Sequence, residues 1–122
     1  MTERTPGGCA AAALATAELA ALAVIFLSWW GDTYFNWDPQ YVGPRVGPYV
    51  QKMGMVAALA AVTALAAVVR RTWRMAWAQA LIVALALAAM AGTHVLGTSA
   101  HSKQQRQACN AGLAASYCTN TR

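Results

Sequence analysis

Long apolar runs broken by short polar clusters set the pattern of this chain. The first run, "CAAAALATAELAALAVIFLSWW", extends from Cys9 to Trp30. At about 1.5 Å per helical residue it reaches roughly 33 Å, enough to cross a hydrocarbon layer of about 30 Å. Trp29 and Trp30 close it at the depth where indoles collect. The second run, Met53 to Val69, is shorter, roughly 25 Å. The third, Ala76 to Leu96, has Trp77 near its start. The pattern predicts an all-α, three-helix integral membrane protein forming a single domain over 1–122, with spans at about 9–30, 53–69 and 76–96. A loop at 31–52 and a short tail at 97–122 complete it.

Composition strengthens the membrane reading. The chain is 58% hydrophobic and 11% charged, where a soluble domain is about 25% charged. So little polar surface could not cover a soluble fold. The net charge of +5 does not point to nucleic acid, because the basic residues cap apolar runs and make no solvated basic face. The alanine bias suggests a GC-rich bacterial genome, such as that of an actinobacterium. The first run is not expected to be cleaved: it is long for a signal peptide, and no small-x-small site follows "LSWWGD". Cys9 precedes the run, so "PGGC" is no lipobox.

Charge placement predicts the orientation. Arg70, Arg71 and Arg74 fall in the short turn "RRTWR" between the second and third runs. Such a turn is held in the cytoplasm, which predicts a multi-pass cell-membrane protein with its N-terminus inside and its C-terminus outside. Arg45, Lys52, Lys103 and Arg106 are positives on the other side. An extracytoplasmic tail is oxidising, so Cys109 and Cys118 are expected to form a disulfide. In one straight helix they would stand about 13 Å apart along the axis, so the bond predicts a bend near Asn110 to Gly112. Two cysteines and His101 do not complete a zinc set, and no metal or cofactor is expected. Cys9 is read as a small apolar filler.

The loop at 31–52 is the least generic stretch. It carries Tyr34, Phe35, Trp37, Tyr41 and Tyr49, and its repeated Gly-Pro pairs in "GPRVGP" forbid a continuous helix. It is expected to fold back on the membrane surface. Two uses compete, an interfacial aromatic belt and a protein-binding surface built on Trp37, Pro39, Tyr41 and Arg45. Glu18 is the only acid inside a run. A charge there costs at least about 2.5–3.5 kcal/mol, so Glu18 is expected to face the bundle and join a polar clamp with Thr63 and Gln79. Ala17/Ala21, Ala57/Ala61 and Ala60/Ala64 offer small-xxx-small contacts.

The chain contains no phosphate loop, nucleophile–base set or dinucleotide fingerprint. The expected role is therefore non-enzymatic, as an accessory or interaction subunit. Its partners would be the lipid bilayer and another membrane protein or a second copy of itself, with no nucleic acid. Length and the first-span Glu also resemble those of small proton-coupled multidrug transporters. Those have four spans where this chain offers three. The resemblance makes a transporter or channel-like homo-oligomer using Glu18 the alternative.

Overall fold

The computed structural model describes residues 6–121. Helix α1 runs Pro6–Tyr34, α2 Gly47–Val69 and α3 Trp73–Asn110, followed by a short 3-10 turn, Ser116–Thr121. All three long helices are long and apolar enough to cross a membrane. Each of the expected runs lies inside one of them. The differences are at the ends. The first helix continues to Tyr34 and the second begins at Gly47, so the connecting loop is 35–46 rather than 31–52.

The larger correction concerns α3. The expected tail from residue 97 is helical as far as Asn110. The 38-residue helix is therefore about 57 Å long, roughly 20 Å more than α2. The reason is local. "SAHSKQQRQA" is rich in good helix formers, and Gly97 alone does not break a helix anchored on both sides. Gly97 is needed for packing instead. A Cβ there would collide with Val46 and sit 3.3 Å from Trp29.

Both helix stops use the same hydrogen-bond pattern. At the end of α2, the Arg71 N–H donates to Val68 O (2.9 Å) and the Thr72 N–H to Ala67 O (2.9 Å). At the end of α3, the Gly112 N–H donates to Cys109 O (3.2 Å) and the Leu113 N–H to Ala108 O (3.0 Å). This pairing needs one residue in the left-handed region. Gly112 (φ 92°) meets the need freely; Arg71 (φ 57°) does so as a non-glycine. The second stop supplies the bend expected near 110–112. It returns the chain so that Cys109 and Cys118 are disulfide-bonded, their Cα atoms 5.5 Å apart.

The hairpin of α2 and α3 packs through small residues. Met53, Ala57, Ala60 and Ala67 face Ala76, Ile82, Ala86, Thr93 and Gly97, all buried at helical spacing. Small side chains let two backbones approach closely. The Ala57/Ala61 and Ala60/Ala64 pairs lie on this seam or at its edge, whereas Ala17 and Ala21 are exposed. Helix α1 lies against the hairpin by Glu18, Leu22, Trp29 and Thr33. Leu22, Met53, Ala57 and Ala86 form the core cluster, with Ile25, Phe26, Ala89 and Met90 around it.

Candidate interaction surface

At the loop end, the chain leaves α1 through two polar turns. Asn36 Oδ1 accepts from the Asp38 N–H (3.1 Å) and Asp38 Oδ1 from the Gln40 N–H (2.9 Å). The Tyr41 N–H donates to Asp38 O (3.1 Å), with Pro39 setting the corner. Trp37 stands between these turns and is 95% exposed; Phe35 is 72% exposed. Pro39 and Arg45 are also exposed, and Tyr41 is half-buried. The loop is thus ordered by its own backbone and needs no aromatic core.

It is fixed to the extension of α3. The Gln104 side chain does most of this. Its Nε2 donates to Thr33 O (2.7 Å), and its Oε1 accepts from the Gly43 N–H (2.9 Å). One amide therefore ties the end of α1 to the loop and both to α3. His101, one turn away on the same face, binds the other side of Gly43 (Nδ1 to Gly43 O, 3.1 Å) and meets Gln105 Nε2 at 3.1 Å. Nδ1 donating to Gly43 O and Nε2 accepting from Gln105 would satisfy both contacts. A Cβ at Gly43 would lie 2.8 Å from Gln104 Oε1, so a side chain there would push the Gln104 amide out of this bond. Gln40 Nε2 donates to Ala111 O (3.2 Å), and the Tyr49 hydroxyl donates to Asp32 Oδ2 (2.8 Å). Below this head, Phe26, Trp29, Trp30 and Tyr34 form a stack on α1, with Trp30 and Tyr34 centroids 4.6 Å apart.

Sequence reasoning missed Gln104 and Gln40. "KQQRQ" reads as a soluble tail when the helix is thought to have ended. The available signal was His101 and Gln104 at i, i+3, on one face if the helix continued.

Glu18, Thr63 and Gln79 lie inside the three long helices. Glu18 and Gln79 are both buried, 3% and 1% exposed. Neither Glu18 oxygen has a hydrogen-bond partner, nor does Gln79 Oε1. Thr63 is half-buried and gives its hydroxyl to its own helix, at Leu59 O (3.1 Å) and Ala60 O (2.9 Å). The expected clamp is therefore not closed by hydrogen bonds. A Thr in mid-helix with no polar neighbour in reach commonly bonds the preceding turn. Arg70, Arg71 and Arg74 are exposed at the opposite end of the bundle, on the α2–α3 turn. Cys9 is a free, exposed thiol on α1.

Residues 1–119 match a family described as a family of unknown function, DUF6234. No curated protein and no solved structure matches the chain.

Proposed function

For a chain that belongs to DUF6234, and so takes no activity from its family, we propose a role as a three-span membrane accessory subunit that binds a partner protein through its loop head. The arginine turn is cytoplasmic and the head and tail are extracytoplasmic. One observation carries the choice of a partner surface over an aromatic belt. Thr33 and Gln40, which flank Trp37, are bonded to Gln104 and Ala111. These stand roughly 12 and 22 Å along α3 beyond Leu96, the last residue of the apolar run. The headgroup layer is only about 5–8 Å deep on each side. Trp37 therefore projects from a platform tied to the polar extension of α3 rather than from a free loop. A large exposed aromatic held rigidly loses little entropy on binding, as interface anchors require.

The test has two parts. Membrane fractions washed in carbonate should retain the protein and detergent should release it, which tests the spanning reading. Affinity purification in mild detergent should then recover a membrane protein with wild type, and Trp37→Ala or Arg45→Ala should weaken that recovery without lowering the amount in the membrane. Loss of the protein itself from the membrane would return the loop to a belt role.

A second reading, proton-coupled transport by a homo-oligomer, draws on the unpartnered, buried Glu18 carboxyl. It stands second because neither of two clefts of about 840 and 510 Å³ is lined by Glu18. Glu18→Gln separates the two readings. An amide does not titrate, so a relay would stop, while partner binding at the head would continue.

A further inference from the structure

The end of the bundle opposite the head carries a second feature with its own chemistry. Between α1 and the α2–α3 turn lies a cleft of about 840 Å³, within the size range of pockets that hold small molecules. Its walls include Ala11 of α1, Ala66 of α2 and Met75 of α3, all apolar. Arg70, Arg71 and Arg74 also line it, together with Trp73. Three arginines thus border a largely apolar trough open to the surroundings of the bundle.

Nothing in the described chain neutralises them. The described carboxylates are Glu18, Asp32 and Asp38. Glu18 is about four turns from Asp32 and about 10 Å along α1 from Ala11, and none of the three makes an ion pair with an arginine of the turn. The backbone contributes both signs here, a negative end at α2 and a positive one at α3. The first turn of α3 has no acidic residue, and Thr72, at its N-cap, makes no capping bond. Its hydroxyl donates instead to Ala67 O (3.0 Å). Of the three arginines, Arg74 lies in the first turn of α3, where a cation opposes the helix dipole, whereas Arg70 and Arg71 sit at the end of α2, where one is favoured. A guanidinium fork matches phosphate oxygens two at a time. The turn is also fixed by the two helix-stop hydrogen bonds described above, so these are not charges on a loose loop.

A free inorganic anion would answer the charges and leave the apolar trough empty. An amphiphile answers both. Resting on the membrane-spanning reading, we propose that this cleft binds an anionic phospholipid of the adjoining leaflet. Its phosphate is held by Arg70, Arg71 and Arg74, and the upper part of an acyl chain lies against Ala11, Ala66 and Met75. The arginine turn is then a lipid site as well as an orientation signal.

The test uses the full chain purified in a neutral detergent and titrated separately with phosphatidylglycerol, phosphatidylcholine and inorganic phosphate, with native mass spectrometry counting bound lipid. One saturable phosphatidylglycerol per chain is expected, with phosphatidylcholine at least tenfold weaker and millimolar phosphate failing to displace the lipid. Ala66 is exposed to the cleft, so Ala66→Phe fills the trough and leaves every charge in place. It should abolish the saturable binding. Arg70→Gln with Arg74→Gln should weaken it roughly 25-fold, at about fivefold per charge. Equal binding of the two lipids would overturn the proposal, and that comparison needs no variant. Retained phosphatidylglycerol binding in Ala66→Phe would reduce the site to surface charge, and displacement by phosphate would make it a simple anion site; either result refutes it. The carbonate and detergent extraction decides the spanning reading separately, so a failure here is distinguishable from a failure there.

Discussion

Gln104→Ala is the sharpest perturbation of the head. The native amide makes two bonds at once, 2.7 Å to Thr33 O and 2.9 Å from the Gly43 N–H. Alanine leaves both backbone groups without this partner. An unsatisfied buried group costs about 1–3 kcal/mol. Both sites are part-buried, so water can reach them and the low end applies, about 1 kcal/mol each. The expected loss is about 2 kcal/mol, concentrated in the loop, which corresponds to roughly 30-fold faster exchange of the Gly43 amide at 1.4 kcal/mol per decade. Hydrogen exchange of loop 35–46, measured in detergent, is the assay. Gln104→Glu refines it. An ionised carboxyl still accepts from Gly43 but repels Thr33 O, whereas a protonated one supplies the same donor and acceptor as the amide. Folding therefore favours the protonated form and raises the introduced group above its ordinary value near 4.3. The rescue should be complete below about pH 4.3 and vanish as pH rises through the higher folded-state value. Unchanged Gly43 exchange in Gln104→Ala, or no acid rescue in Gln104→Glu, would refute the account of Gln104 as the tie between α1, loop and α3.

Three further outcomes follow from particular contacts. Glu18→Leu should stabilise the isolated protein, by roughly 2 kcal/mol in a detergent melt, since it removes a buried carboxyl with no partner; destabilisation would mean that a subunit or ligand supplies the missing bond. A membrane-impermeant thiol reagent should label Cys109 and Cys118 in intact cells only after reduction; labelling without reductant would remove the disulfide, and labelling only after both reduction and permeabilisation would invert the topology. Gly97→Ala should gain about 1 kcal/mol from helix propensity and lose about 1–3 kcal/mol by collision with Val46, so it should destabilise in wild type and stabilise in a Val46→Ala background; the same sign in both would refute the packing role of Gly97.

The sequence by itself determined the number of helices, because runs such as Cys9–Trp30 and Ala76–Leu96 can satisfy their backbone in an apolar setting only by bonding within themselves. It also determined the bend before Cys118, since a disulfide across nine residues is incompatible with a straight helix. The tertiary structure decided what periodicity does not encode. Helix α3 outruns its apolar segment because "SAHSKQQRQA" is helix-competent and gains a partner in the loop, through contacts spanning 58 and 61 residues that no local pattern records. The same long-range pairing fixes the aromatic loop to the extension of α3. It was also packing that left Glu18 without Thr63. A Thr hydroxyl can always reach its own preceding turn, whereas a bond to another helix depends on side chains meeting within about 3 Å, and that distance is set only when the helices pack.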